Sequence, residues 1–235
     1  MKPMLPPDPA ARSTFHRFLH SRRQWVRASL AALVSLAAGC VTSRPAGAAA
    51  APKSLPMSRR QKKLQMLWEE HIRHEFATHD TEETLKTMVD DAYVNHIPTL
   101  TGGVGKDELR AFYGKRFIPQ MPPDTAMTAV SRTIGTDQLV DEMVFKFTHT
   151  IRMDWMLPGV EPTGKRVEVP LVAIVKFRDG KLAHEHIYWD QASVLVQLGL
   201  IDASTLPVAG VESARKVLDP SLPSNDLMHR ASSPR

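Results

Sequence analysis

Across residues 138–177, apolar and polar side chains alternate through two long stretches, and that alternation limits what the chain can fold into. Strand side chains point to opposite faces in turn, so a period of two marks a half-buried strand. Over 138–156, Met143, Phe145, Phe147, Ile151, Met153 and Trp155 share one face. Glu142, Lys146, Thr148, Thr150, Arg152 and Asp154 share the other. The pattern predicts one long strand there. A loop starts at Pro158-Gly159 and ends near Gly164. Residues 167–177 are the most apolar strand, and Asp179-Gly180 is a hairpin signal into a strand over 181–190. A further strand, 126–134, precedes the turn Gly135-Thr136-Asp137.

Helical spacing dominates upstream. Leu64, Leu67, Trp68, Ile72 and Phe76 recur as an amphipathic stripe. A short second helix is predicted after Asp80, with Glu83 in capping-box position and Leu85, Met88 and Val89 buried. Residues 91–98 read as a strand. Thr101-Gly102-Gly103-Val104-Gly105 reads as a strand-to-helix turn, since no Lys-Ser/Thr follows to make it a phosphate loop. A third helix presents Leu109, Phe112, Tyr113 and Phe117, and a last one covers 191–198 with Gly199 placed to close it. Helices segregated onto an antiparallel sheet define an α+β domain. Long twisted strands curl around such helices and leave a half-open cone with an apolar lumen.

Charge separates the chain into parts. Residues 1–60 carry ten Lys/Arg and one acid, Asp8, leaving 20 basic and 24 acidic residues over 61–235. The folded part therefore has no basic footprint for nucleic acid. Residues 1–40 read as an export signal. Arg22-Arg23 sits in a stretch resembling a twin-arginine motif, and the apolar run over 28–38 is shorter than the roughly 20 residues that span a bilayer. The run ends in Leu36-Ala37-Ala38-Gly39-Cys40, which resembles a lipobox and marks Cys40 for lipidation. Ala46-Gly47-Ala48 offers an ordinary cleavage site instead. The expected location is periplasmic, soluble or tethered by that lipid. Cys40 is the single cysteine, so an internal disulfide and a domain thiol nucleophile are excluded. Residues 41–60 read as a linker, 61–202 as the domain and 203–235 as a tail.

The candidate chemistry clusters in KLAHEHIYWDQASVLVQLGLI, residues 181–201. Period two puts Leu182, His184, His186, Tyr188 and Asp190 on one face, and Ala183, Glu185, Ile187 and Trp189 on the other. If the first row faces the lumen, it supplies proton donors and acceptors inside an apolar pocket. Asp190 also stands where a helix N-cap is favoured, and both roles remain open. His149 interrupts an apolar face, and His96 ends the 91–98 strand on the parity opposite to Tyr93. Trp189, Trp155 and Phe147 read as core or pocket wall. Glu185, on the opposite face, reads as a structural ion-pair partner of Arg or Lys across the sheet. His184 and His186, with His96 or His149, could form a metal set, although no metal is assigned.

Three stretches resemble the SnoaL-like branch of the NTF2-like superfamily. They are YVNHIPTLTGGVG at 93–105, MDWMLPGVEPTG at 153–164 and GKLAHEHIYWDQASVLVQLG at 180–199. The last is also similar to SnoaL-like domains that accompany dienelactone-hydrolase-type proteins. The resemblance covers 64–202. It implies an NTF2-like cone: three N-terminal helices on a strongly curved, mostly antiparallel sheet, with a short C-terminal helix and tail. It also implies acid–base catalysis with no cofactor, by an aspartate near the end of a late strand. By position that residue is Asp190, with Tyr188 where the family pattern has histidine.

The resulting expectation is an exported acid–base enzyme of cyclase, isomerase or lyase type, acting on a small apolar carbonyl compound. Asp190 would move the proton, while Tyr188, His186 or His149 would stabilise the developing enolate oxygen. His96, His149, Trp189, Trp155 and Phe147 would line the pocket. Two alternatives stay open: a non-catalytic module for hydrophobic ligands or dimerisation, and a metal-assisted hydrolase. A homodimer through the outer sheet face is a further expectation, with no membrane contact beyond a lipid anchor.

Overall fold

The computed structural model describes residues 56–232. The export signal, Cys40 and most of the linker therefore lie outside the described residues. Among those described, no helix is long and apolar enough to cross a membrane.

Ser58 and Gln61 form a reciprocal capping box that starts helix α1 (Arg59–Arg73). Leu64, Trp68, His71 and Ile72 are its buried residues. The helix then widens into one π turn, His74–Thr78, that stops at His79 in the left-handed conformation (φ 53°). Asp80 accepts the Glu83 N–H at 3.0 Å and starts α2 (Thr81–Lys86). Next come β1 (Met88–His96), β2 (Thr101–Val104) and α3 (Gly105–Phe112). A second π turn, Tyr113–Phe117, and a 3₁₀ turn, Ile118–Gln120, extend α3. Strands β3 (Ala126–Ile134), β4 (Gln138–Thr148), β5 (Arg166–Arg178) and β6 (Lys181–Trp189) follow. Helices α4 (Gln191–Leu198), α5 (Glu212–Leu218) and α6 (Asp226–Ser232) complete the order.

The six strands form one sheet in the order β2-β1-β6-β5-β4-β3. Neighbours are antiparallel except β1 and β6. Register shifts interrupt three of the pairings, and such bulges increase local twist. The α+β cone is the fold the sequence predicts. Its core lies between α1–α3 and the concave face, where β5 alternately buries Val167, Val169, Leu171, Ala173, Val175 and Phe177. Each large apolar side chain so buried stabilises by about 1.5–3 kcal/mol. Beyond the end of β6, α4 takes over the edge of β5. Gln197 accepts the Glu168 N–H at 2.9 Å and donates to the Glu168 carbonyl at 3.0 Å.

Two local expectations are corrected. The strand predicted over 138–156 ends at Thr148. His149 pairs with the far end of the loop, Lys165 and Gly164, and the Met153 carbonyl accepts N–H groups from Met156 and Leu157. Met153, Trp155, Met156 and Leu157 are thus buried by a loop folding inward rather than by a pleat. The glycine turn before α3 contains strand β2, paired antiparallel with β1. Gly102 makes this approach possible: at φ 142° a Cβ would lie 1.9 Å from the Val94 carbonyl oxygen. The tail carries two helices, α5 and α6.

Candidate functional site

The concave face holds a buried ionisable cluster. On α1, positions 64, 68, 71/72 and 75 fall at helical spacing, so His71 and Glu75 occupy the same stripe as Leu64 and Trp68. His71 is 0 % exposed and Glu75 4 %. Glu185, 3 % exposed, comes from β6, and Tyr113 from the π turn after α3. His71 Nε2 lies 3.1 Å from Glu75 Oε1 and 3.0 Å from Glu185 Oε1. Tyr113 donates its hydroxyl to Glu185 Oε1 at 3.2 Å. Glu75 and Tyr113 both sit on single π turns, a device that recurs at functional sites.

The network fixes the orientation of the His71 ring. Thr87 donates its hydroxyl to the Thr84 carbonyl at 2.6 Å, so its oxygen accepts from His71 Nδ1–H, also at 2.6 Å. Nε2 then faces the two carboxyls. Together they raise the imidazole to about 10 against the opposing effect of burial, so it is a cation at neutral pH. Burial pushes the Glu75 carboxyl up while His71 pulls it down. Burial and the two carboxylates also push Tyr113 well above its ordinary value and keep it neutral. One imidazolium thus faces two carboxyls, and burial raises the proton affinity of Glu75.

A second network seats α1. Trp68 Nε1–H donates to Asp141 Oδ2 at 2.9 Å, and Arg132 grips both Asp141 oxygens and reaches Glu69 at 3.0 Å. Asp141 is buried on β4, so this contact ties the helix bearing His71 and Glu75 to the sheet bearing Glu185.

Glu75, Glu185 and Tyr113 line a cavity of about 50 Å³, several times the roughly 10–15 Å³ that one water needs. Its other walls include Ile72, Phe76, Phe112, Phe117, Phe145, His96 and Trp155. His96 is buried and held neutral, lowered to about 4 chiefly by burial. The ligand atoms of His71, Glu75 and Glu185 all lie within 4.8 Å of one another, so these three side chains could hold a metal ion.

Of the residues predicted to carry chemistry, His96 and Trp155 line this cavity. Trp189, Phe147 and His149 are buried but are not among its walls. Trp189 gives its N–H to Gln191 at 2.6 Å, Phe147 packs on Phe145, and His149 bonds Thr163 through Nδ1. The row His184, His186 and Tyr188 lies on the opposite sheet face, which corrects the expectation that it points into the lumen. His186 meets the Tyr93 hydroxyl at 3.1 Å, His184 stacks on His186, and Tyr188 is 40 % exposed. Asp190 is exposed and accepts the Ser193 N–H as the N-cap of α4. The reason lies in the register. Phe177 pairs with Leu182 but Lys176 with His184, so Ala183 is an inserted residue. It lets Leu182 and Glu185 both face inward and turns the histidines out. This placement also separates His184 and His186 from His96 and His149, so the proposed imidazole metal set does not assemble.

Sequence reasoning missed His71, Glu75 and Tyr113 as candidate functional residues and read Glu185 as a structural ion-pair partner across the sheet. The available signal was ionisable groups set within apolar stripes: His71 and Glu75 on α1, and Glu185 in the row of Ile187 and Trp189.

Comparison with known proteins agrees with this architecture. The family model described as a SnoaL-like domain matches residues 68–185, just over half of the chain. A putative SnoaL-like polyketide cyclase from Jannaschia sp. CCS1 superposes with a TM-score of 0.51 at 17% identity, over 63% of this chain and 100% of that one. TsrD from Streptomyces laurentii gives 0.49 at 20% identity, over 62% and 100%. AclR, a putative hydroxylase from Streptomyces galilaeus, gives 0.47 at 21% identity, over 61% and 99%. No curated protein matches the chain. The match in sequence, across the strands and helices that build the cone, places this chain in the SnoaL-like family.

Proposed function

We propose that the protein is an acid–base enzyme acting on a small, largely apolar carbonyl compound bound in the cone, with Glu75 as the proton-transfer group. The supporting observation is the His71–Glu75–Glu185–Tyr113 cluster at the wall of an aromatic cavity. A carboxyl whose proton affinity is raised by burial works as a base or acid near neutral pH. The Glu75 carboxylate takes the proton from the carbon next to the carbonyl. The C–H electron pair becomes the C=C of the enolate, and the charge moves to the carbonyl oxygen. Where a C=C is conjugated with the enolate, return of that proton to its far carbon gives isomerisation; attack by the enolate carbon on a second carbonyl, with the proton passing from Glu75 to the alkoxide so formed, gives ring closure. His71 and Tyr113 act as positioning residues through Glu185 and Glu75.

The test is solvent deuterium incorporation next to the carbonyl, followed by NMR over cyclic ketones, lactones and esters. The wild-type chain should exchange at least one of them, and Glu75→Gln should lower that rate by about 10²-fold or more. Equal rates in the two proteins, or no exchange with any compound, would contradict the reading. The convergence of His71, Glu75 and Glu185 favours one second reading, metal-assisted chemistry. Exchange that stops in a chelator and returns with zinc would establish it instead.

A further inference from the structure

Three tryptophans fall among the described residues. Trp68 gives its indole N–H to Asp141, and Trp189 gives its own to Gln191. Trp155 is 2 % exposed, lines the cavity, and its Nε1–H has no hydrogen-bond partner among the described residues. A buried N–H left unsatisfied costs about 1–3 kcal/mol, so such a group at a cavity wall calls for an occupant.

His96 stands beside it, with ring centroids 5.3 Å apart. The Thr101 hydroxyl donates to the Trp155 carbonyl at 2.7 Å, and Thr99 donates to the same carbonyl at 2.9 Å. With its proton spent, Thr101 Oγ1 accepts from His96 Nδ1–H at 3.0 Å. This assigns the ring its tautomer: Nδ1 carries the proton, and Nε2 is a bare acceptor with no protein partner among the described residues. Phe112, Phe117 and Trp189 pack around the ring, and His96 is itself part of the cavity wall. The hydrogen-bond chain Trp155 carbonyl, Thr101, His96 therefore ties the residue with the free donor to the residue with the free acceptor.

We infer that Trp155 Nε1–H and His96 Nε2 form the polar recognition pair of the cavity, and that the ligand is a small hydroxy-carbonyl compound. Its carbonyl oxygen accepts from Trp155, and its neighbouring hydroxyl donates to His96. This rests on the proposed carbonyl chemistry and narrows its substrate class. It also assigns the donor that would meet a developing enolate oxygen. The remaining polar groups of the cavity, Glu75, Glu185 and Tyr113, already bond one another or His71, which leaves the Trp155–His96 side to select the ligand.

Four-carbon probes test it: 3-hydroxybutan-2-one carries both groups, butan-2-one only the carbonyl and butan-2-ol only the hydroxyl. Titrations of the ¹⁵N-labelled full chain follow the Trp155 indole N–H signal and the His96 ring nitrogens. The hydroxy-ketone should shift both, butan-2-one the indole alone and butan-2-ol the imidazole alone. The hydroxy-ketone should also bind about tenfold more tightly than either partner compound. Trp155→Phe keeps an aromatic wall without the N–H and should erase the advantage over butan-2-ol. If that variant fails to fold, the wild-type shifts decide alone. Equal affinity for all three probes, or no indole shift up to the solubility limit, would overturn the inference. The deuterium-exchange test is independent of this one. Selective binding without exchange leaves the recognition pair standing and removes the catalytic reading, while exchange without an indole shift does the reverse.

Discussion

At the residue scale, His71 shows how burial and charge compete. Desolvation alone would neutralise its imidazole, but two carboxyls at 3.0 and 3.1 Å reverse that outcome. Removing one partner of a buried pair leaves an uncompensated charge, at a cost of about 3–5 kcal/mol. Glu185→Ala should therefore destabilise the domain by about that much in urea unfolding, whereas breaking an exposed, solvent-screened pair such as Arg110–Glu82 should have a far smaller effect. The pH dependence of stability follows from two histidines with opposite shifts. His71 is raised from 6.5 to about 10, so its contribution is full below 6.5 and is lost as pH rises through about 10. His96, which feels only Glu185 as a nearby charge, is lowered to about 4. Its contribution is present above 6.5 and is lost as pH falls toward 4. Chemical unfolding across pH should show both losses. His71→Phe should flatten the alkaline limb, and His96→Phe the acid limb; unchanged limbs would contradict the assignments.

At the scale of elements, β6 decides which residues meet. Its sequence alternates correctly, and 184, 186 and 188 do share a face as period two requires. What the alternation does not reveal is which face is inside, because both rows mix polar and aromatic residues. The inserted Ala183 also breaks the parity between Leu182 and His184, and nothing in the residue types marks it. The capping signals were more legible. Asp80 and Asp190 both stand before a helix and both accept the N–H three residues on. Asp190→Ala should cost about 1 kcal/mol in thermal or urea unfolding, the value of an N-cap, and should not alter ligand binding. A loss of binding at unchanged stability would return Asp190 to the site. The two π turns were not legible, since each resembles an ordinary helix end in sequence. They nevertheless bring Glu75 and Tyr113 to the cavity.

At the scale of the whole molecule, the sequence carries the cone because long alternating strands and amphipathic helices admit few other packings. It carries the polar interior poorly, because long-range packing alone brings His71, Glu75, Tyr113 and Glu185 together. His96 and Trp155 were legible as pocket residues, yet the hydrogen-bond chain through Thr101 that fixes their roles was not. We propose that chemistry occurs on the concave side of the sheet and not on the row beginning at His184. The most direct measurement compares two isosteric variants, Glu75→Gln and Asp190→Asn, for deuterium exchange into a carbonyl compound the wild type turns over. The first should lose exchange while remaining folded, and the second should keep the wild-type rate. Full activity in Glu75→Gln together with loss in Asp190→Asn would contradict the account.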